Sequence, residues 1–215
     1  MKLAVAVPMK PFALAKARLR PGLGDAARQK LAADMLRHVL AAVAASRVAE
    51  ARGVVSADPA ALALAAEHDF ETIYEEEPRG YNAAAARASA WAQARRCDAL
   101  LILPADLPFL TPEDVRELAL LAESNFPAVL IAPDARAEGT NALLLRPPDA
   151  IPPSFGCASL ARHQRLARSM GLDPIIYRSP TIAQDIDWIE DLQLFSGETS
   201  CPTPFRNNDA TRGES

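Results

Sequence analysis

Two rhythms alternate along the chain. Short, nearly unbroken apolar runs lie at residues 3–7, 53–57, 70–74, 99–103, 128–132, 140–145 and 175–177. Between them apolar residues recur at helical spacing, most clearly at Leu31, Met35, Leu36, Val39, Leu40 and Val43. The runs have the length of strands buried on both faces, and the periodic stretches describe one face of a helix. The pattern therefore predicts strands at these runs and helices over 25–45, 59–68, 82–96, from Pro112 onward, through His163 to Met170, and over 188–195. Helix starts carry their own chemistry. Asp58 before Pro59, and Thr111 before Pro112, Glu113 and Asp114, supply a capping side chain and a first-turn proline, with acids at the positive end of the second helix. Strand and helix in alternation give parallel strands joined by right-handed crossovers, so the expected fold class is α/β. From residue 196 the composition turns to Gly, Ser, Thr, Asn, Pro and charge, which predicts one domain over 1–195 and a disordered tail over 196–215.

Residues 98–115 form the centre of the expected fold. The apolar run stops at Pro104, and Asp106 follows in the loop before the helix at Thr111. A carboxylate there lies just past the carboxyl end of a central strand, the crevice where open α/β sheets bind ligands. It has two readings: a turn aspartate satisfying loop amides, or a metal ligand for a phosphate-bearing substrate. The loop after the first strand holds Lys10, Lys16, Arg18 and Arg20 with no acid before Asp25, while Pro11, Pro21, Gly22 and Gly24 keep most of it out of regular helix. It reads as a cradle for phosphates or as a solvated loop of scattered cations. Gly80 and Asn82 open the alanine-rich helix, the glycine admitting backbone close to a ligand and the asparagine serving as a cap. Gly139, Thr140 and Asn141 stand at a strand entrance, and Gly156 and Ser159 lie at a helix start whose unpaired amides favour an anion. The acidic run Glu75, Glu76, Glu77 reads as a solvated edge, and His68 as a surface residue at a helix end.

Composition narrows the functional classes. The 215 residues are half hydrophobic, with 23 basic and 27 acidic side chains. That is enough for a sizeable core, and the mildly acidic balance argues against nucleic acid or a membrane surface as partner. Charges interrupt the apolar runs, which predicts no bilayer span, and the strand-like run beginning at Leu3 leaves no room for a signal peptide. Three cysteines, Cys97, Cys157 and Cys201, lack paired or zinc spacing. They predict reduced thiols in the cytoplasm, with Cys157 packed as a small apolar residue. Cys157 and His163 also suggest a cysteine hydrolase, although no third orienting group is evident.

Several motifs stand in one order: AVPMK and LAKARL between residues 5 and 19, GYNAA at 80–84, LPADLP at 103–108, GTNALLL at 139–145, FGCAS at 155–159 with His163, and DIDWIEDL at 185–192. Together they resemble the guanylyltransferases that make the phosphate-bridged intermediate of the deazaflavin coenzyme F-420, the CofC/FbiD family. The resemblance runs from the first strand to about residue 195. It implies a GT-A-like nucleotidyltransferase fold, a mostly parallel mixed sheet flanked by helices on both sides. It implies that Thr140, Gly156 and Ser159 hold a small phosphorylated three-carbon acid, and that Lys10, Lys16 and Arg18 face the triphosphate of GTP. Lys16 and Asp106 would be catalytic, Gly80 and Asn82 would lie near the nucleotide, and Asp106 would hold magnesium with help from Asp187. The chain departs from the family pattern at Pro104, where relatives can carry a second acid, at Arg79 in place of a glycine, and at Trp188 and Ile189 in place of Thr-Pro.

The reaction implied by the resemblance is attack of the acid's phosphate oxygen on the α-phosphorus of GTP, with release of pyrophosphate. The acceptor would be phosphoenolpyruvate, 2-phospholactate or 3-phosphoglycerate, and the product would pass to a downstream transferase. Two other readings stay open at this level. One is a nucleotidyltransferase of sugar-phosphate or molybdopterin type; the other is a non-catalytic nucleotide-binding regulator, since fold does not fix function.

Overall fold

The first strand, β1 (Leu3–Pro8), is buried along its whole length. Its side chains alternate between two cores, Leu3, Val5 and Val7 entering one and Ala4 and Ala6 the other. That period of two places β1 mid-sheet with packing on both faces. The computed structural model describes residues 1–185. In it β1 pairs in parallel with β2 (Ala49–Ser56) on one side and with β4 (Ala99–Ile102) on the other. β3 (Glu71–Tyr74) extends the sheet beyond β2. Beyond β4, β6 (Thr140–Arg146) runs antiparallel to β4 and to β5 (Ala128–Pro133), and β7 (Ile175–Ile176) lies parallel to β5. The strand order is β3-β2-β1-β4-β6-β5-β7. β6 alone among the described strands is reversed, so the sheet is mixed and mostly parallel, as expected.

Helices cover both faces. α1 (Asp25–Ser46), α2 (Pro59–Glu67), α4 (Pro112–Glu123) and α6 (Pro180–Ala183) pack on the side of Leu3, Val5 and Val7. α3 (Tyr81–Ala94) and α5 (Ser159–Ser169) pack on the other. The α3 face consists of Ala84, Ala85, Ala88 and Ala92, whose small side chains let the helix lie close over the strands. Gly53 serves the same approach: a Cβ there would fall 2.8 Å from Ile73 Cδ1 and 3.1 Å from Trp91 Cζ2.

α4 begins where its residues say it should. The Thr111 side chain accepts from the Asp114 amide at 3.2 Å, and the Thr111 amide donates to Asp114 Oδ2 at 2.9 Å, a closed capping box. Asp114 also accepts from Ser179 and Thr181 at the start of α6. Burial alone would raise its pKa, but the hydrogen bonds from Ser179, Thr111 and Thr181 outweigh it and hold the carboxyl below the usual range.

Two expectations change. β2 starts at Ala49 rather than at residue 53. Residues 49–52 pair with β1 only, and this open edge tolerates Glu50 and Arg52, which hide the strand from an apolar reading. The acidic run is not uniformly solvated either. Glu76 and Glu77 are exposed, but Glu75 is buried, and burial pushes its carboxyl pKa up against the opposing charge of Arg87. Among the described residues no helix is long and apolar enough to cross a membrane. The predicted helix at 188–195 and the tail at 196–215 lie outside the described residues.

Candidate active site

β1 and β4 are parallel neighbours, yet the chain leaves β1 toward β2 and β3 on one side before returning to β4 on the other. The crevice at their carboxyl ends is therefore a topological switch point, where strand connections diverge and leave room for a ligand. A cleft of about 330 Å³ lies there, lined among others by Met9, Lys10, Lys16, Arg18, Tyr81 and Asp106.

The basic loop that forms one wall is built rather than loose. Phe12 and Leu19 are buried, and the Phe12 amide donates to Asp58 Oδ2 at 2.7 Å. The other Asp58 oxygen caps α2 by accepting from the Ala60 amide at 2.9 Å. Arg28, only 1% exposed, donates from Nη1 to the Ala15 carbonyl at 2.5 Å and from Nη2 to Asp25. Two short 3-10 turns, Phe12–Leu14 and Ala17–Leu19, flank Lys16, which takes left-handed backbone angles (φ 52°, ψ 37°). A side chain in that region costs about 1–2 kcal/mol, so the buried anchors on either side must impose it. The consequence is at the other end of the side chain: Lys16 Nζ lies 2.6 Å from Asp106 Oδ2. The lysine is 6% exposed and the aspartate 31%, so the pair sits inside the cleft with its carboxylate reachable. On the Asp106 side, His38 of α1 holds the loop by a 2.9 Å bond between its Nε2 and the Leu110 carbonyl.

A second cluster forms where β6 meets the start of α5. His163 is fully buried, and burial, with the charge of Arg162 adding to it, pushes its pKa down to about 4. Its Nε2 accepts from the Ser154 amide at 2.9 Å, and its Nδ1 lies 3.0 Å from Thr140 Oγ1. Gly156 takes φ 111° and Ala158 φ 52°, so the loop turns sharply into α5, whose first residue, Ser159, is buried. Arg162 donates to the carbonyls of Ser154 and Phe155 and braces this turn.

α3 joins the two clusters. Asn82 donates to the Phe155 carbonyl at 3.2 Å and accepts from the Phe155 amide at 2.6 Å. Tyr81 packs edge-on to Phe155 with centroids 4.8 Å apart, and Phe155 packs edge-on to His163 at 5.0 Å. Lys10, Lys16, Arg18 and Asp106 thus share one cleft, while Thr140, Gly156 and Ser159 gather around the His163 turn next to it. Gly80 caps α3 with φ 95°, and Asn82 commits its amide to the loop at Phe155. Asp187 lies outside the described residues.

Sequence reasoning gave no role to two residues of the site and a different role to a third. Tyr81 stands between the two positions singled out in GYN. Arg28 falls at helical spacing with Ala32, Met35 and Leu36 on the buried face of α1, an anomalous place for a cation. His163 was weighed only against Cys157. That expectation is corrected: Cys157 is exposed rather than packed, and both ring nitrogens of His163 are engaged by Thr140 and Ser154. The geometry leaves no Cys–His pair.

A mostly parallel sheet with a cation-lined cleft at the β1/β4 switch point, beside an anion-suited helix start, is the architecture of a nucleotidyltransferase. A nucleotidyl transferase from Methanothermobacter thermautotroptrophicus has the same fold, with a TM-score of 0.66 and 14% identity over 90% of this chain and 95% of that one. The chain belongs to the family described as Guanylyl transferase CofC like, whose sequence profile matches residues 3–200. It is 39% identical to a phosphoenolpyruvate guanylyltransferase of Sphaerobacter thermophilus over 89% of this chain and 91% of that protein. It is 31% identical to a 3-phospho-D-glycerate guanylyltransferase of Colwellia psychrerythraea over 91% of this chain and 92% of that protein.

Proposed function

We propose that this protein transfers GMP from GTP to the phosphate of a small phosphorylated three-carbon acid, with phosphoenolpyruvate the preferred acceptor and coenzyme F-420 biosynthesis the setting. The observation that carries the reading is the seam made by Tyr81, Asn82 and Phe155, which sets the Lys16–Asp106 cleft beside the Thr140–Ser159 turn. A reaction between two phosphates needs two anion sites that share a wall. Relatives at 31–39% identity bear the names of phosphoenolpyruvate or phosphoglycerate guanylyltransferases, which supports the substrate class.

In this reading a phosphate oxygen of the acceptor attacks the α-phosphorus of GTP, the bond to the β-phosphate breaks, and pyrophosphate leaves. A phosphate monoester is largely dianionic near neutrality, its second pKa being about 6, so the nucleophile needs no general base. The residues' task is to hold two anions in line and to offset charge on the leaving group. Lys10, Lys16 and Arg18 face the triphosphate. Thr140 offers a hydroxyl to the acceptor, and the turn at Gly156 places it at the start of α5, the anion-favouring end of that helix.

Magnesium belongs to this reading. That ion takes one or two carboxylates and completes its shell with water and substrate phosphates, and Asp106 supplies a reachable carboxylate among phosphate-binding cations. Asp106 would hold it, with Asp187 as a second carboxylate in our proposal. Bound there, the ion would neutralise charge on the phosphates during transfer. Cys97 and Cys157 are free thiols, in keeping with a cytoplasmic enzyme whose product is handed to a further transferase.

Pyrophosphate release tests the nucleotide half of this reading. With magnesium and phosphoenolpyruvate present, GTP should give release and CTP little. Release with CTP and a sugar phosphate would place the chain in another branch of the fold, and none with any nucleotide would favour a regulator.

A further inference from the structure

Tyr81 is more than packing. Its ring, at the first position of α3, lines the cleft with Lys16 and Asp106 and rests edge-on against Phe155. A phenylalanine would make the same ring contacts. The hydroxyl, by contrast, is shut off from solvent and finds no hydrogen-bond partner among the described residues. A buried hydroxyl without a partner destabilises a fold relative to a bare ring, so packing gives no account of its presence. A tyrosine hydroxyl ordinarily titrates at about 10, so the group is an O–H donor near neutrality.

We propose that, as a nucleotide enters this cleft, the Tyr81 ring shifts on Phe155 to uncover its hydroxyl, which donates a hydrogen bond to a phosphoryl oxygen of that nucleotide. The inference rests on the cleft being the nucleotide site, as proposed above. The cations Lys10, Lys16 and Arg18 select an anion, and on such an anion the abundant acceptors are phosphoryl oxygens. The neighbouring carboxylate, Asp106, directs Oδ2 to Lys16 and makes no hydrogen bond with the phenol. The position is also the right one. Tyr81 touches Phe155, the residue that Asn82 ties to the acceptor-side turn, so its donor lies at the seam between the two anion sites. A charge-assisted O–H···O bond there would orient the phosphate that is transferred.

The test compares the wild type with Tyr81→Phe in three measurements: melting temperature of the protein alone, isothermal titration of magnesium–GTP, and the rise in melting temperature that magnesium–GTP produces. The variant alone should melt at the same temperature or higher, because an unpaired buried hydroxyl is gone. Its affinity for magnesium–GTP should fall about tenfold, as for loss of a hydrogen bond to a charged group, and the nucleotide-induced rise should shrink. Equal affinities and equal rises would overturn the proposal. These readouts need no transfer, so they separate it from the proposed activity. A tenfold loss of binding with no guanylylation of any acid would keep the Tyr81 contact and discard the acceptor. Equal binding with normal guanylylation would do the reverse.

Discussion

His163 Nδ1 lies 3.0 Å from Thr140 Oγ1, and it is the nitrogen that carries the ring's proton. The assignment follows from the other side of the ring. Nε2 accepts from the Ser154 amide, which can only donate, and burial keeps the imidazole neutral, so the single hydrogen must sit on Nδ1. His163 therefore donates to Thr140, and the threonine's own hydrogen is left for another acceptor. Under the proposed function, Thr140 is an oriented donor for the phosphorylated acid.

This arrangement predicts a pH dependence of stability. The folded pKa of His163 is about 4 against an ordinary 6.5. As pH falls below about 6.5 the unfolded chain takes a proton that the native protein refuses until about 4. Stability is thus fully present above 6.5 and lost through that window, by about 3 kcal/mol at most. His38, also lowered by burial, adds in the same direction. His163→Asn keeps a donor for Thr140 and removes the titration. Its melting temperature should fall less steeply than that of the wild type between pH 6.5 and 4. Parallel slopes would contradict the assignment.

Asp106→Asn keeps the shape of the cleft and removes the charge that meets Lys16. Turnover should drop by about a hundredfold or more, the scale of losing electrostatic stabilisation at a reacting phosphate, with only a small change in melting temperature. Lys16→Asn is the companion, because asparagine tolerates the left-handed backbone that Lys16 adopts. It should fold normally and lose at least about tenfold in kcat/KM for GTP. Near-normal rates in either folded variant would remove that residue from the chemistry.

Arg28 is expected to act at a distance. It touches the carbonyl of Ala15, the residue before Lys16, and lies in the core side of α1. Arg28→Met should preserve bulk but free the loop. We expect a loss of about 2–3 kcal/mol in denaturant unfolding together with weaker GTP binding. A stability loss with unchanged GTP affinity would show that the loop keeps its shape without this anchor.

Much of this was readable from local pattern. The run at 99–103, the Thr111–Asp114 start and the position of Asp106 rest on rules that span a few residues, and they hold. The reversal of β6 was also within reach, since residues 134–139 are too few for a crossover and demand an antiparallel return. What local pattern cannot supply is the meeting of distant groups. Lys16 and Asp106 are 90 positions apart, and their contact depends on strand order and on a strained backbone at a residue with no glycine to announce it. The same holds for Thr140 with His163 and for Asn82 with Phe155. Cys157 was misread because a residue beside apolar neighbours was taken as packed, whereas the left-handed turn at Ala158 leaves it outside.

The most direct test of the account is the mass of the product. Purified protein, magnesium and GTP are incubated separately with phosphoenolpyruvate, 2-phospholactate, 3-phosphoglycerate and a sugar phosphate. The account predicts a product in which GMP is joined through a phosphoanhydride to one of the acids, formed in step with pyrophosphate and fastest with phosphoenolpyruvate. Discrimination among the acids should be about 10–200-fold where only a methyl or a double bond differs. A guanylylated sugar phosphate, with no adduct of any of the three acids, would contradict it.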